Sequence, residues 1–296
     1  MGWFCFADAR PNKESMTNMF SILECRGRDA SGYAFIKDKR LVVNKAPVKS
    51  SEIVKQKEWG ALSLPRTLIA HTRLKTQGSE KLNVNNHPLY NKYGIAVVHN
   101  GMIHNDKEIF TTAKRDGQVD SEAILSVLST KAKGDKIKRV FEKLEGSFAF
   151  ASIDVNEPEK LILVKKDNPL CLYLDTKLEI LYFCSEREIM QEALNIKSSS
   201  IRGFNIGEDN YHYYEMENNY GMVINRVGVE NYKRYTPKRN DWMSFRNYHL
   251  PFGKSDLDMD FIECPYCLAK TLYDGSKLVN QCESCGAELN EEDIYT

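Results

Sequence analysis

The chain has 296 residues with 41 basic and 41 acidic side chains, so its formal net charge at pH 7 is zero. This balance gives no evidence for or against a nucleic-acid partner, and a hydrophobic content of 42% is enough for a full core. No apolar run could span a bilayer, and the first residues lack the basic and long apolar regions of a signal peptide. We therefore expect a soluble, cytoplasmic protein without membrane contact, built as one large domain plus a small appendage or as two modest domains.

Apolar runs and helical periodicities alternate along the first part of the chain. In chain order the sequence predicts a strand at 3–7, a helix at 13–23, a hairpin at 30–36 and 39–44, strands at 67–71 and 94–99, helices at 120–132 and 135–144, strands at 147–153, 160–165, 170–174 and 180–184, a helix at 186–194, and further strands to about residue 235. This order of strands, two helices and strands again predicts an α+β fold with face-to-face sheets covered by helices.

The composition changes after residue 235. Residues 236–259 contain Pro237, Pro251 and Gly253 among many polar residues and show no clear period. We predict a linker here, between a main domain at 1–235 and a C-terminal module at 260–296. A surface loop of the main domain explains the same composition equally well.

Four cysteines near the end of the chain form two CxxC pairs, namely Cys264, Cys267, Cys282 and Cys285. Each pair directs two thiolates to one point, and the intervening segment has the length of a hairpin. Four sulfur ligands in a tetrahedron suit a structural Zn²⁺ and leave no open position for catalysis. Disulfides and an iron–sulfur site are the alternatives. The pattern resembles a zinc ribbon, a module that commonly holds a protein or nucleic-acid partner.

The main domain carries several polar motifs next to predicted strands and helices. They are RGRDASG at 26–32, AHTRLKTQG at 70–78, NNHPL at 85–89, IAVVHNGMI at 95–103, DSE at 120–122, LEGSFA at 144–149, DNPL at 167–170 and FCSE at 183–186. Together and in this order they resemble the glutaminase domain of class II glutamine amidotransferases. The resemblance covers about residues 1–235 and implies a four-layer αββα sandwich of the N-terminal-nucleophile hydrolase type.

The resemblance implies a pocket that recognises glutamine as its ligand. Arg73 matches the residue that binds the α-carboxylate, a role for which a guanidinium is suited by its two parallel N–H donors. Asp120 matches the acid that holds the α-ammonium, while Thr76 and Gly78 shape the loop around the carboxylate.

The same resemblance assigns an oxyanion hole to the side-chain amide of Asn100 and the backbone N–H of Gly101. Amide hydrolysis passes through a tetrahedral oxyanion, and removing one fixed donor typically costs about 2.7–4 kcal/mol of transition-state stabilisation. His71, Asn86 and His87 are expected to support the site and not to react.

The nucleophile of the resembled family is an N-terminal cysteine whose own α-amine is the general base. Here Gly2 matches the family's second residue, which puts Met1 in the place of that cysteine. Cys5 is the one candidate replacement, but it lies about 13 Å further along the predicted strand at roughly 3.3 Å per residue. The strand would have to slide by four residues. We therefore predict that the nucleophile is displaced or lost.

Two functions follow from these features. An active protein would hydrolyse glutamine to glutamate and ammonia, and would pass the ammonia to a separate acceptor partner because the chain has no room for an acceptor domain. A catalytically inactive adaptor would instead bind a protein or nucleic-acid partner through the fold and the zinc ribbon.

Overall fold

The structure is a computed structural model that describes residues 1–111, 114–130, 134–196 and 211–235, together with the backbone of four short strands between 259 and 289. The chain divides into two compact units, Met1–Pro237 and Lys238–Thr296. The predicted linker, apart from its last residue, and the four predicted zinc ligands lie outside the described residues.

A seven-stranded antiparallel sheet is built around the first strand of the chain. Across the sheet the strands are β11 (Tyr211–Glu215), β9 (Cys171–Asp175), β10 (Ile180–Cys184), β1 (Gly2–Cys5), β4 (Thr67–Arg73), β2 (Ala30–Lys37) and β3 (Arg40–Ala46). In β1, Gly2 pairs with Phe183 on one side and with Ile69 on the other. The register of β1 is therefore set by main-chain hydrogen bonds to two neighbouring strands.

A six-stranded antiparallel sheet forms the second layer. Its strands in order are β13 (Gly228–Arg234), β12 (Tyr220–Asn225), β8 (Leu161–Lys166), β7 (Gly146–Asp154), β6 (Ile95–Ile103) and β5 (Leu89–Tyr90). The longest pairing joins β6 to β7 without a bulge, from Ile95 opposite Asp154 to Ile103 opposite Gly146.

The two sheets pack face to face through one buried apolar cluster. Phe4 and Ile69 from the first sheet meet Val98, Ala151 and Met222 from the second. Because successive strand residues point to opposite faces, Phe4 enters this inter-sheet layer while its neighbours in β1 point outward.

Helices cover both outer faces. The first sheet carries α1 (Lys13–Ile22), α2 (Ser50–Ile53), α3 (Lys57–Gly60) and α7 (Arg187–Ala193), and the second carries α5 (Glu122–Leu128) and α6 (Lys136–Lys143), with the single turn α4 (Asp106–Ile109) nearby. The packing order is therefore helix, sheet, sheet, helix. The predicted α+β layout with two face-to-face sheets is confirmed, whereas the zinc ribbon stays a prediction.

The second unit contains two short antiparallel hairpins in its described backbone. β14 (Met259–Glu263) pairs with β15 (Lys270–Asp274), and β16 (Asn280–Gln281) pairs with β17 (Glu288–Leu289). Among the described residues of the whole chain, no helix is long and apolar enough to cross a membrane.

Candidate functional site

A cavity of about 430 Å³ opens where β4 and β6 end, and this volume falls in the range of small-molecule sites. Its lining includes five of the predicted site residues: Arg73, Thr76, Asn100, Gly101 and Asp120. The fold thus brings together residues that are up to 47 positions apart in the sequence. Gly78 and Cys5 do not line the cavity.

Arg73 ends β4 and is 5% exposed. Its Nη1 donates to Oδ1 of Asn86 at 2.9 Å, and its Nη2 donates to the carbonyl oxygens of Gly78 at 3.0 Å and of Gln77. Burial lowers the pKa of the guanidinium, opposed by the carboxylates of Glu80, Asp29 and Asp120. A guanidinium has five N–H donors, so two remain beyond these three bonds for a ligand carboxylate.

Gly78 contributes to the site through its backbone. Its φ of +74° lies in the left-handed region, which favours glycine, and its carbonyl oxygen accepts from Arg73. That Gly78 shapes the loop around the ligand carboxylate stays a prediction, and the residue does not line the cavity.

Asp120 supplies a buried carboxylate just before α5. Its Oδ2 accepts from the backbone N–H of Ile103 at 2.6 Å, and its Oδ1 accepts from the hydroxyl of Ser121 at 3.4 Å. The Ser121 hydroxyl also lies 2.7 Å from Nδ1 of His99. Asp120 is thereby fixed in the same cavity as Arg73, so the site offers a negative group together with a buried positive one, and Arg26 also lines the cavity.

Asn100 and Gly101 lie in β6 beside the cavity. The Nδ2 atom of Asn100 is buried, and no hydrogen-bond acceptor reaches it in the described part of the chain. Gly101 has a φ of +133°, and a Cβ there would overlap the carbonyl oxygen of Ser147. A buried amide without a protein partner is a costly group, and this one belongs to a residue that lines the cavity.

Three buried histidines form the inner wall. The ring centres of His71 and His87 are 4.5 Å apart, and those of His87 and His99 are 6.4 Å apart. Burial lowers the pKa of His71 to about 3 and of His99 to about 4, and holds the pKa of His87 well below its usual value. All three are neutral at neutral pH. Within the described ranges, no three His, Cys, Asp or Glu side chains are grouped as metal ligands.

The two sulfur-bearing residues at the start of the chain lie in different surroundings. Met1 lines the cavity, and its nitrogen donates to the carbonyl oxygen of Ala70 at 2.8 Å. Cys5 is fully buried in the cluster beneath the helices, among residues such as Trp3 and Met16. Burial raises the pKa of the Cys5 thiol to about 11. Cys5 is therefore neither at the cavity nor in an environment that favours its thiolate.

Two other thiols line the cavity without having been assigned a role from the sequence. Cys25 is exposed, whereas Cys184 ends β10 and is buried. Cys184 lies within the FCSE motif and Cys25 directly precedes the RGRDASG motif. Proximity to these motifs was the signal that could have placed both residues near the site.

Residues 71–192 match the model of a protein family described as a glutamine amidotransferase domain. Similar curated proteins are the isomerizing glutamine–fructose-6-phosphate aminotransferases of Aquifex aeolicus, 40% identical over 161 residues, and of Clostridium perfringens, 36% identical over 166 residues. These matches cover 51% and 53% of this chain but 27% of each relative. The chain thus spans about a quarter of the length of these relatives.

Among solved structures, the glutamine phosphoribosylpyrophosphate amidotransferase of B. subtilis superposes with a TM-score of 0.62 and 17% identity, over 80% of this chain and 49% of that one. A second structure, of the allosteric regulatory enzyme of purine biosynthesis, gives a TM-score of 0.61 and 18% identity over the same shares. At such identities the likeness concerns the fold alone. Residues 71–192 therefore resemble a glutamine amidotransferase domain, and the fold of the chain is similar to that of these two structures.

Proposed function

We propose that the cavity binds glutamine and does not hydrolyse it by the route of an N-terminal cysteine. The observation that carries the proposal is the pairing of opposite charges in one small cavity. The buried guanidinium of Arg73 suits the α-carboxylate of an amino acid, and the carboxylate of Asp120 suits its α-ammonium. The buried Nδ2 of Asn100 is then available to the side-chain carbonyl oxygen of glutamine.

The start of the chain offers no nucleophile to the cavity. A thioether has no proton to lose, so the side chain of Met1 cannot act as a nucleophile at the position that lines the cavity. Moving Cys5 into that position would place Phe6 where Gly2 now stands. Any Cβ at that point would overlap the carbonyl oxygen of Leu68, which supports a β1 register that does not slide.

Calorimetric titration of the full chain with L-glutamine tests the proposal, together with an assay for released ammonia. We expect binding without ammonia release, and a loss of affinity of at least about tenfold in Asp120→Asn, which removes one charged partner of the ligand. Asp175→Asn is the matched control, because Asp175 is 4% exposed and accepts from the N–H groups of Lys177 and Leu178 outside the cavity.

Wild-type protein that takes up no glutamine would contradict the binding claim, as would an Asp120→Asn variant with unchanged affinity. Ammonia release by the wild type would contradict the second claim. If that release also disappeared in Cys5→Ala, Cys5 would be the displaced nucleophile after all.

We also propose that the C-terminal module binds one structural zinc ion through Cys264, Cys267, Cys282 and Cys285. The described backbone supports this proposal. Glu263 pairs with Lys270 and Gln281 pairs with Glu288, so each pair of strand ends encloses a segment with one CxxC motif. Hairpin ends that carry two thiolates each suit a closed tetrahedral site, which supplies folding energy to a short segment.

Elemental analysis of freshly purified protein tests the zinc proposal. We expect about one zinc per chain, its loss in the double variant Cys264→Ser and Cys267→Ser, and its retention in the control Cys25→Ser. Protein without zinc would contradict the proposal, and a coloured iron-containing product would identify an iron–sulfur site instead. A module of this kind would serve to hold a protein or nucleic-acid partner of the glutamine-binding domain.

A further inference from the structure

Lys45 is a half-buried lysine on β3, the edge strand of the first sheet. Its Nζ donates to the carbonyl oxygen of Asn86 at 2.6 Å and to that of Pro88 at 3.0 Å. The same ammonium lies 5.0 Å from the ring centre of Tyr90. Among the described residues, Lys45 forms no ion pair with a carboxylate. Its bonds go to the main chain of one short segment.

That segment, residues 86–88, holds the guanidinium of Arg73. Asn86 is fully buried, and its Oδ1 accepts from Nη1 of Arg73 at 2.9 Å. Its Nδ2 donates to the carbonyl oxygen of Glu80 at 2.7 Å. A chain of hydrogen bonds therefore runs from the ammonium of Lys45 through Asn86 to Arg73.

An ammonium in this position is costly, because burial lowers the pKa of Lys45 to about 8. A hydrophobic residue would pack against Tyr90 at less cost. A lysine instead donates two charge-assisted hydrogen bonds to the carbonyl groups on either side of His87. Such bonds are roughly twice as strong as bonds between neutral groups. The charge thus stiffens the segment that aims Arg73.

We propose that Lys45 is a positioning residue for glutamine recognition, which holds residues 86–88 so that Asn86 keeps Arg73 directed at the α-carboxylate. The inference rests on the proposed glutamine binding and extends it to a residue outside the cavity. It requires that the ammonium form of Lys45 be present, because a neutral amine keeps two donors but loses the charge.

Other titratable and charged groups near Lys45 could also make the glutamine affinity depend on pH. His87 lies between its two acceptors, Tyr90 packs against it, and the groove that it lines also contains Lys92, Lys114, Asp116 and Glu122. Burial holds the pKa of His87 well below its usual value, so this ring stays neutral between pH 7 and 9. Lys45 is the group on this wall whose pKa is lowered into that range.

Glutamine affinity measured by calorimetry from pH 6.5 to 9.5 tests the proposal with three variants. Lys45→Met should bind roughly tenfold more weakly at pH 7, because two charged bonds to residues 86–88 are gone. Lys45→Arg should keep the wild-type affinity at pH 7 because it retains a charged donor. Lys92→Met is the matched control, an exchange on the same groove that should leave affinity unchanged.

The pH profile separates a positioning role from a merely structural one. The α-ammonium of glutamine itself titrates at alkaline pH and weakens binding to every variant. Beyond that shared decline, the wild type should lose affinity above about pH 8, whereas Lys45→Arg should not, because a guanidinium stays charged throughout this range.

If Lys45→Met bound glutamine as tightly as the wild type, the positioning role of Lys45 would be refuted and the proposed glutamine binding would stand. The same holds if the affinity of Lys45→Arg fell above pH 8 as much as that of the wild type. Wild-type protein that binds no glutamine at any pH would overturn the proposed function and this inference with it. If circular dichroism shows that Lys45→Met does not fold, the comparison of Lys45→Arg with the wild type decides the question.

Discussion

Exchange of Arg73 for lysine tests the recognition half of the site most directly, because it keeps the charge and changes the geometry. The guanidinium reaches three protein acceptors on Asn86, Gln77 and Gly78 from one planar group. A lysine ammonium presents three donors from a single atom and cannot reach those acceptors and a ligand carboxylate together. We expect both binding and stability to suffer.

The size of each effect follows from the bonds that are lost. A hydrogen bond from a free guanidinium N–H to the ligand carboxylate would be lost, and one hydrogen bond to a charged group contributes about 1.5–3 kcal/mol. Glutamine affinity should therefore fall between about tenfold and a hundredfold. Because Arg73 is 5% exposed, at least one of its acceptors would remain buried without a donor, at a cost to folding of about 1–3 kcal/mol.

Calorimetry gives the affinity, and urea unfolding gives the stability. Arg66→Lys is the matched control, since the Arg66 guanidinium donates to the carbonyl oxygens of Cys5 and Ala7 and pairs with Asp8 at 3.0 Å outside the cavity. It should lose stability and keep its glutamine affinity. An Arg73→Lys variant that binds glutamine as tightly as the wild type would show that the guanidinium does not contact the ligand.

Two further predictions concern stability. Gly101→Ala should lower the free energy of unfolding by about 2 kcal/mol or more, because φ is +133° and the added Cβ would overlap the carbonyl oxygen of Ser147. Thermal melts measure this loss. The control Gly60→Ala, where the space around the added Cβ is open, should show none. The free energy of unfolding should also fall as the pH drops below about 6.5, because the buried histidines bind protons in the unfolded chain but stay neutral in the folded one, with pKa values of about 3 for His71 and about 4 for His99. Urea titrations between pH 7 and pH 4 measure this slope, up to about 1.4 kcal/mol per pH unit for each histidine, and a flat profile would contradict the assignment of neutral, buried rings.

Long elements with a clear period could be predicted, and single-turn elements could not. The helix predicted at 13–23 is α1, because Met16, Met19 and Phe20 recur at helical spacing and are buried. The predicted strand at 94–99 is the first part of β6, which continues to Ile103 through the polar motif. By contrast, α2, α3 and α4 have four residues each, too few for any hydrophobic period to be visible.

The sequence predicted those features of the site that depend on residue type. It did not predict the features that depend on packing. Because side chains alternate along a strand, Cys5 shares a face with Met1, and both belong to the same buried cluster. Lys45 carries no motif and lies 41 positions before Asn86, so only the folded chain shows that its ammonium reaches that carbonyl oxygen. The orientation of Arg73 likewise depends on bonds to backbone carbonyl groups. Every residue has such a group, so the sequence does not show which ones Arg73 contacts.

The central place of β1 has a consequence for the history of this cavity. Main-chain bonds of β1 to β4 and β10, together with the tight fit at Gly2, fix where residue 1 lies. The identity of that side chain could therefore change without rebuilding the protein around it. Reactivity at such a position is separable from architecture, so the exchange of one residue can turn a catalyst into a receptor, or a receptor into a catalyst, while the fold stays as it is.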